Sequence, residues 1–294
     1  MVIEEGVQPS SVTAPADSGG TLAMTTFHTV DGSGVRLRYE VRGSGPLVML
    51  VASPMDAEAF APVADLLADE YTVVTHDPRG ISGSVLDDPE QDSTPELRAE
   101  DVVAIMDALD AESADVFGSS GGAVTGLALV TGWPGRVRTL VAHEPPLLEL
   151  LPDAAVRRAG VDDVVTTFHR HGLEAAWMAF MEVATVDGVD MPDTDGPPPE
   201  EPSPQEIVNG GRFFAHELSH TTRYVPDLSA LRSAPTRVVV GVGAESGHLQ
   251  THRTSTALAE LLGVTPVEFS GEHLGFLERP KEFANDLRAV LAGH

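Results

Sequence analysis

Residues 115–122 read Asp-Val-Phe-Gly-Ser-Ser-Gly-Gly, and Gly118-Ser119-Ser120-Gly121-Gly122 within them is a G-x-S-x-G pentapeptide. It follows a short apolar strand pattern at 114–117 and opens a small-residue helical run at 121–130. A serine on so tight a strand-to-helix turn has its hydroxyl pushed out at the carboxyl end of a sheet, with the positive end of a helix beneath it. Gly118 and Gly122 leave space that side chains would block. A plain Gly/Ser-rich turn would account for the composition. It would not account for the strand before, the helix after and a histidine in the right place late in the chain.

Outward from this point, strand patterns at 25–30, 35–41, 47–51 and 72–76 precede the pentapeptide, and 138–142, 236–242 and 266–269 follow it. Helical patterns fall at 57–68, 94–109, 251–262 and 280–291, the second of them capped by Ser93 or Thr94 with Glu96 in its first turn. Strands alternating with helices imply an α/β protein with a mainly parallel central sheet and helices on both faces. The alternation stops over 147–230, where helical patterns at 153–172, 173–186 and 204–223 occur without a clear strand. This stretch reads as a helical lid inserted into a core of 25–146 and 231–294. Its acidic, proline-rich middle, 187–204, reads as a mobile surface loop, and residues 1–24 as a disordered extension.

The chain has 294 residues, 42% hydrophobic and 21% charged, enough for one large α/β domain with an insertion. A formal charge of −27 argues against nucleic acid or an anionic membrane as partner. With no cysteine there is neither a disulfide nor a thiolate metal ligand. No apolar run reaches the roughly 18 residues of a membrane helix. The acidic start lacks the apolar region of a signal peptide, so the expected location is cytoplasmic.

Taken together, the segments 47–54 (LVMLVASP), 71–84 (YTVVTHDPRGISGS), 116–122 and Gly271-Glu272-His273-Leu274 resemble the α/β-hydrolase superfamily over roughly residues 25–292. The likeness is to small, lidded, esterase-like hydrolases of actinobacterial type. It implies that Ser120 is the nucleophile, with Ser119 turned away beneath the elbow, and that His273, in the loop before the last helix, is the base. Serine needs such a base because its alkoxide is not available at neutral pH. Asp77 and Arg79 would be structural. An aspartate in place of Ser120 would have pointed to dehalogenase or epoxide-hydrolase chemistry.

The acid departs from the pattern. The superfamily's usual aspartate position, after the strand ending at Val242-Gly243, is occupied by Ser246, which cannot balance an imidazolium. Glu144, closing the strand after the elbow helix, is taken as the acid, as in haloalkane dehalogenases that use a glutamate, with Glu245 as the alternative. The oxyanion hole would use the backbone N–H of Gly121 and that of Ser53, since Pro54 has none and the familiar His-Gly pair is replaced by Val51-Ala52.

A second motif competes. His216-Glu217-Leu218-Ser219-His220 is formally H-E-x-x-H, a zinc-binding spacing on a helix. Arg223 and Pro226 stand where an extended zinc motif would continue, and no suitable third ligand follows, so neither metal nor cofactor is expected. The expected reaction is hydrolysis of an ester, lactone or related acyl bond through an acyl-enzyme. Met55, Trp177, Phe180, Met181, Phe213 and Phe214 would form an apolar pocket for a hydrophobic small molecule. Homodimerisation is left open. So are two further readings: a transacylating or cyclising tailoring enzyme of secondary metabolism on the same fold, and a non-catalytic ligand-binding module.

Overall fold

The computed structural model describes residues 25–186 and 201–293. The expected extension at 1–24 and residues 187–200 of the acidic loop lie outside the described residues. Strands β1 (Thr26–Gly32), β2 (Val35–Arg42), β3 (Leu47–Val51), β4 (Thr72–His76), β5 (Val85–Leu86), β6 (Ala114–Ser119), β7 (Val137–His143), β8 (Arg237–Gly243) and β9 (Val267–Phe269) form one sheet. Its order is β1-β2-β4-β3-β6-β7-β8-β9, with β5 paired to β2. From β4 to β9 the neighbours run parallel, while β1 and β2 form an antiparallel hairpin edge.

The apolar strands are continuous because both faces of the sheet are covered. Val48 and Leu50 of β3 face one core, while Met49 and Val51 face the other. Helix α1 (Ala61–Leu67) packs on the first face. Helices α2 (Pro95–Ala108) and α3 (Gly121–Gly132) pack on the second. Thr94 caps α2, its hydroxyl accepting from Leu97 N–H at 3.3 Å, and Pro95 supplies a fixed φ where no N–H is needed.

Between β7 and β8 the chain forms α4 (Ala154–His171), α5 (Leu173–Ala184), α6 (Pro204–His216), α7 (Leu218–Thr222) and α8 (Leu228–Ser233). Phe213, Phe214, Val161 and Val164 give this insertion a small core of its own. Helices α9 (Gln250–Leu262), α10 (Gly275–Glu278) and α11 (Pro280–Ala292) complete the layers. Two expectations change. The helical pattern at 204–223 is interrupted at Glu217 (φ −129°, ψ −47°), where the side chain turns inward. The pattern at 57–68 begins as a 3-10 turn, Ala57–Phe60. Elements β5, α8 and α10 are too short to leave a periodic signal.

The topology sets the location of the site. The chain leaves β3 for β4 on one side and returns to β6 on the other, so the loops after β3 and β6 diverge. A crevice at the carboxyl ends of these two strands is the consequence. Asp77, in the loop after β4, braces this edge by accepting from Ala57 N–H at 2.9 Å and Gly83 N–H at 2.9 Å. Arg79 and Asp101 form a fully buried pair with bonds of 2.7 and 2.8 Å.

Helix α3 reaches the sheet only because Gly122 lacks a side chain, since a Cβ there would lie 1.9 Å from the Val51 carbonyl oxygen. That oxygen belongs to the backbone and cannot swing aside. Gly122→Ala is expected to lower stability by about 1–3 kcal/mol, read as a drop in thermal midpoint. Gly132→Ala, with open space around its Cβ position, is the control and should be neutral or slightly stabilising.

Candidate active site

Four parallel strands deliver the site in spatial order: Ser119 of β6 pairs with His143 of β7, His143 with Gly241 of β8, and Gly243 with Phe269 of β9. Residues just beyond these ends therefore converge. Ser120 is the N-cap of α3 with φ 54° and ψ −122°, a conformation sterically costly for a residue with a Cβ. The turn is held by Ser120 N–H donating to the His143 carbonyl at 2.9 Å. It is compressed as well: a Cβ on Gly118 would meet the Gly122 carbonyl oxygen at 2.4 Å. Ser119 is fully buried with its hydroxyl 3.2 Å from His143 Nδ1, turned away from the crevice.

Glu144 also has a positive φ, 50°, which turns its side chain across the end of β8. The carboxylate is fully buried, yet it is surrounded by donors. Gly243 N–H lies 2.9 Å from Oε1, Thr251 Oγ1 3.0 Å from Oε2, and the Ser246 hydroxyl donates to Oε1. His273 Nδ1 is 2.6 Å from Oε2. Burial alone would raise the carboxyl pKa. The hydrogen bond and charge of His273, followed by His143 and the Ser246 hydroxyl, outweigh it and lower the value from 4.5 to about 2. Glu144 is thus an anion at all ordinary pH.

His273 is about one-fifth exposed while its partner is wholly covered. A carboxylate has no proton to give, so Nδ1 carries the hydrogen, and in the neutral ring the lone pair is then on Nε2. His143 lies against His273 with ring centres 6.3 Å apart. Burial pushes His143 down to about 4, with Glu144 opposing and His273 reinforcing, so it is a neutral packing ring at pH 7.

The loop after β3 brings Ser53 to the elbow: a Cβ on Gly121 would lie 2.8 Å from Ser53 Oγ. Gly121 N–H belongs to the first turn of α3, whose donors have no intrahelical acceptor. Ser53 N–H has no backbone acceptor among the described residues. Among the described residues, both donors are thus without a backbone acceptor beside Ser120.

Glu245 lies elsewhere. It is half-exposed and pairs with Arg279 at 2.7 Å, leaving Glu144 as the glutamate against His273. Ser246, which occupies the usual aspartate position, donates to the Glu144 carboxylate just beyond the neighbouring strand. Of the apolar residues, Met55 and Trp177 line a cleft of about 1180 Å³ between the loop after β3 and helices α5 and α6, together with Met178, Ile207 and Leu277. Phe180, Phe213 and Phe214 do not line it. They pack edge-on or tilted against one another, with Phe213 stacked on Trp177, within the insertion, and Met181 is exposed. Helical spacing places residues on a face but does not say which neighbour covers that face.

The H-E-x-x-H residues separate. His216 and His220 both face Asp92, at 3.0 and 3.2 Å, and Glu217 points away from them into the protein. Among the described residues, no three His, Asp or Glu are grouped to hold a metal ion, and no helix is long and apolar enough to cross a membrane.

The model of the Alpha/beta hydrolase family matches residues 47–286. A hydrolase of Bacillus subtilis, YraK, is 33% identical over 270 residues, covering 90% of this chain and 95% of that protein. A zearalenone hydrolase of Bionectria ochroleuca is 37% identical over 130 residues, 42% of this chain and 49% of its own length. An esterase from Thermogutta terrifontis has the same fold at 18% identity, with a TM-score of 0.68 and coverage of 91% of this chain and 98% of that one.

The depressed Glu144 value carries a stability consequence. Because its folded pKa lies below 4.5, its contribution is fully present above that pH and is lost as pH falls toward about 2. The shift corresponds to about 3 kcal/mol. Denaturant titrations from pH 6 to pH 2 should show this loss in the wild type. Glu144→Gln should be less stable at pH 6 and should lose correspondingly less on acidification.

Proposed function

The chain belongs to the alpha/beta hydrolase family, and on that footing we propose that it is a serine hydrolase cleaving an ester, lactone or related acyl bond. The observation that carries this reading is the 2.6 Å contact between His273 Nδ1 and the buried Glu144 carboxylate, just beyond the strand next to the serine elbow. A buried carboxylate there fixes the imidazole tautomer and stabilises the imidazolium that forms when the ring accepts a proton.

In the proposed cycle, His273 Nε2 removes the Ser120 proton as Oγ attacks the substrate carbonyl. The resulting oxyanion accepts from the N–H groups of Ser53 and Gly121, aided by the positive end of α3. His273 then protonates the leaving alcohol, and the acyl group stays on Ser120. Water, deprotonated by the same imidazole, releases the acid and restores the serine. Ser120 Oγ makes no side-chain hydrogen bond among the described residues, so the serine–histidine bond would form when substrate closes the site.

The helical insertion acts as the lid in this reading. Its cleft, walled by Met55, Trp177, Met178 and Ile207, suits a hydrophobic acyl or alcohol group. Zearalenone, named by one partial relative, therefore joins p-nitrophenyl esters of increasing length in the substrate panel.

A fluorophosphonate should label wild-type Ser120, located by peptide mass spectrometry, and leave Ser120→Ala unlabelled. Glu144→Gln should lower kcat about 10³- to 10⁴-fold, whereas Glu245→Gln should stay within about twofold. Labelling elsewhere, or equal losses in both glutamate variants, would overturn the assignment.

A further inference from the structure

The H-E-x-x-H stretch has no part in the cycle above, yet its glutamate is 1% exposed. At the break between α6 and α7, Glu217 enters the protein and accepts a hydrogen bond at Oε1 from the Ser53 hydroxyl. Arg98 of α2, also buried, holds its Nη1 3.8 Å from the same oxygen. Oε2 is buried with no hydrogen-bond partner among the described residues. An unsatisfied buried oxygen costs about 1–3 kcal/mol, and a buried carboxylate–guanidinium pair is seldom better than apolar packing. Packing gives no reason for a glutamate at this position. The bond to Ser53 does.

The same pair reaches the other oxyanion donor. Arg98 Nε donates to Thr125 Oγ1 at 2.9 Å, and Thr125 Oγ1 donates to the Gly121 carbonyl at 3.1 Å. Ser53 and Gly121, already in contact, are thus tied to one buried ion pair, Ser53 directly and Gly121 through Thr125. The insertion holds its half of the pair in register. Asn209 Oδ1 accepts from Ser82 N–H at 3.0 Å, and Arg212 Nη2 donates to the Gln91 carbonyl at 2.6 Å. Both lie on α6, which ends where Glu217 turns inward.

We propose that Glu217 is a positioning residue of the oxyanion hole. Carried by the lid, it fixes Ser53 so that the Ser53 and Gly121 N–H groups converge on one point. The hole is complete only when α6 and α7 are seated on the core. The proposal rests on the serine-hydrolase reading above. Because these donors act on charge that develops in the transition state, a displaced Ser53 slows acylation and leaves ground-state binding almost unchanged.

The test is stopped-flow acylation by a p-nitrophenyl ester, with thermal melts, on the full chain as wild type, Ser53→Ala, Glu217→Ala, Glu217→Gln and the double alanine variant. Ser53→Ala keeps the backbone N–H and the Glu217–Arg98 pair and removes only the hydroxyl that Glu217 holds. It and Glu217→Ala should each slow acylation about 10- to 100-fold, with the substrate dissociation constant, read from the concentration dependence of the burst rate, within about threefold. The double variant should be no slower than the slower single one, and Glu217→Gln, which keeps an acceptor, should recover most of the rate. Acylation by Ser53→Ala within about twofold of wild type, losses that multiply in the double variant, or losses confined to the substrate dissociation constant with the limiting acylation rate unchanged would overturn the proposal. If Glu217→Ala does not fold, Ser53→Ala and Glu217→Gln decide between the same outcomes. A folded wild type with no burst and no fluorophosphonate adduct at Ser120 would instead remove the serine reading, and this proposal with it, a result distinct from all the others.

Discussion

The approach of α3 to the end of β3 is the constraint on which the rest of the site depends. It exists because position 122 has no side chain to meet the Val51 carbonyl. With the helix seated there, Ser120 is forced into a left-handed conformation at its N-cap, and Gly121 is brought against Ser53. The nucleophile candidate and the two candidate oxyanion donors are then consequences of one backbone contact. A sheet whose chain reversed direction elsewhere would leave no crevice at these strand ends to receive them.

Charge burial follows a consistent logic across the molecule. Glu144 tolerates complete burial because an amide, two hydroxyls and an imidazole surround it. Arg79 and Asp101 satisfy each other through a two-bond pair. Glu217 is a fully buried carboxylate with one oxygen left without a hydrogen-bond partner among the described residues. Buried polar groups lacking partners are rare in folded proteins, and each calls for an explanation. The two non-glycine residues at the site with positive φ, Ser120 and Glu144, belong to the same pattern of local cost held in place by surrounding structure.

Much of the architecture was legible along the chain. The elbow, the alternation of strands and helices and the late histidine each carry local signals: a glycine pattern, a periodicity and a position after the last strand. Other features were not legible, for identifiable reasons. Phe180, Phe213 and Phe214 are spaced to share a face, but that face is covered by neighbours within the insertion and does not open to the cleft. The periodic run at 204–223 gave no sign of a break at Glu217, because the break coincides with a contact to a residue 164 positions away. Short elements such as β5 and α10 carry too few residues for any period to emerge.

The division between the two levels is clearest in the acid. From composition and order alone, the chain determined an α/β fold and a serine at a strand-to-helix turn, and it offered two glutamates as candidate acids, since these depend on near neighbours in sequence. It did not determine which glutamate. Glu144 and Glu245 both follow strands, and they differ only in what lies across from them: His273 and three further donors for one, solvent and Arg279 for the other. The role of Ser246 as a donor to Glu144, and of Glu217 as a partner of Ser53, likewise exist only after β7 is laid beside β8 and the insertion is folded back on the core. Local sequence sets backbone conformation through short-range sterics. The identity of a buried charge's partner is set by long-range packing, and the tertiary structure alone decides it.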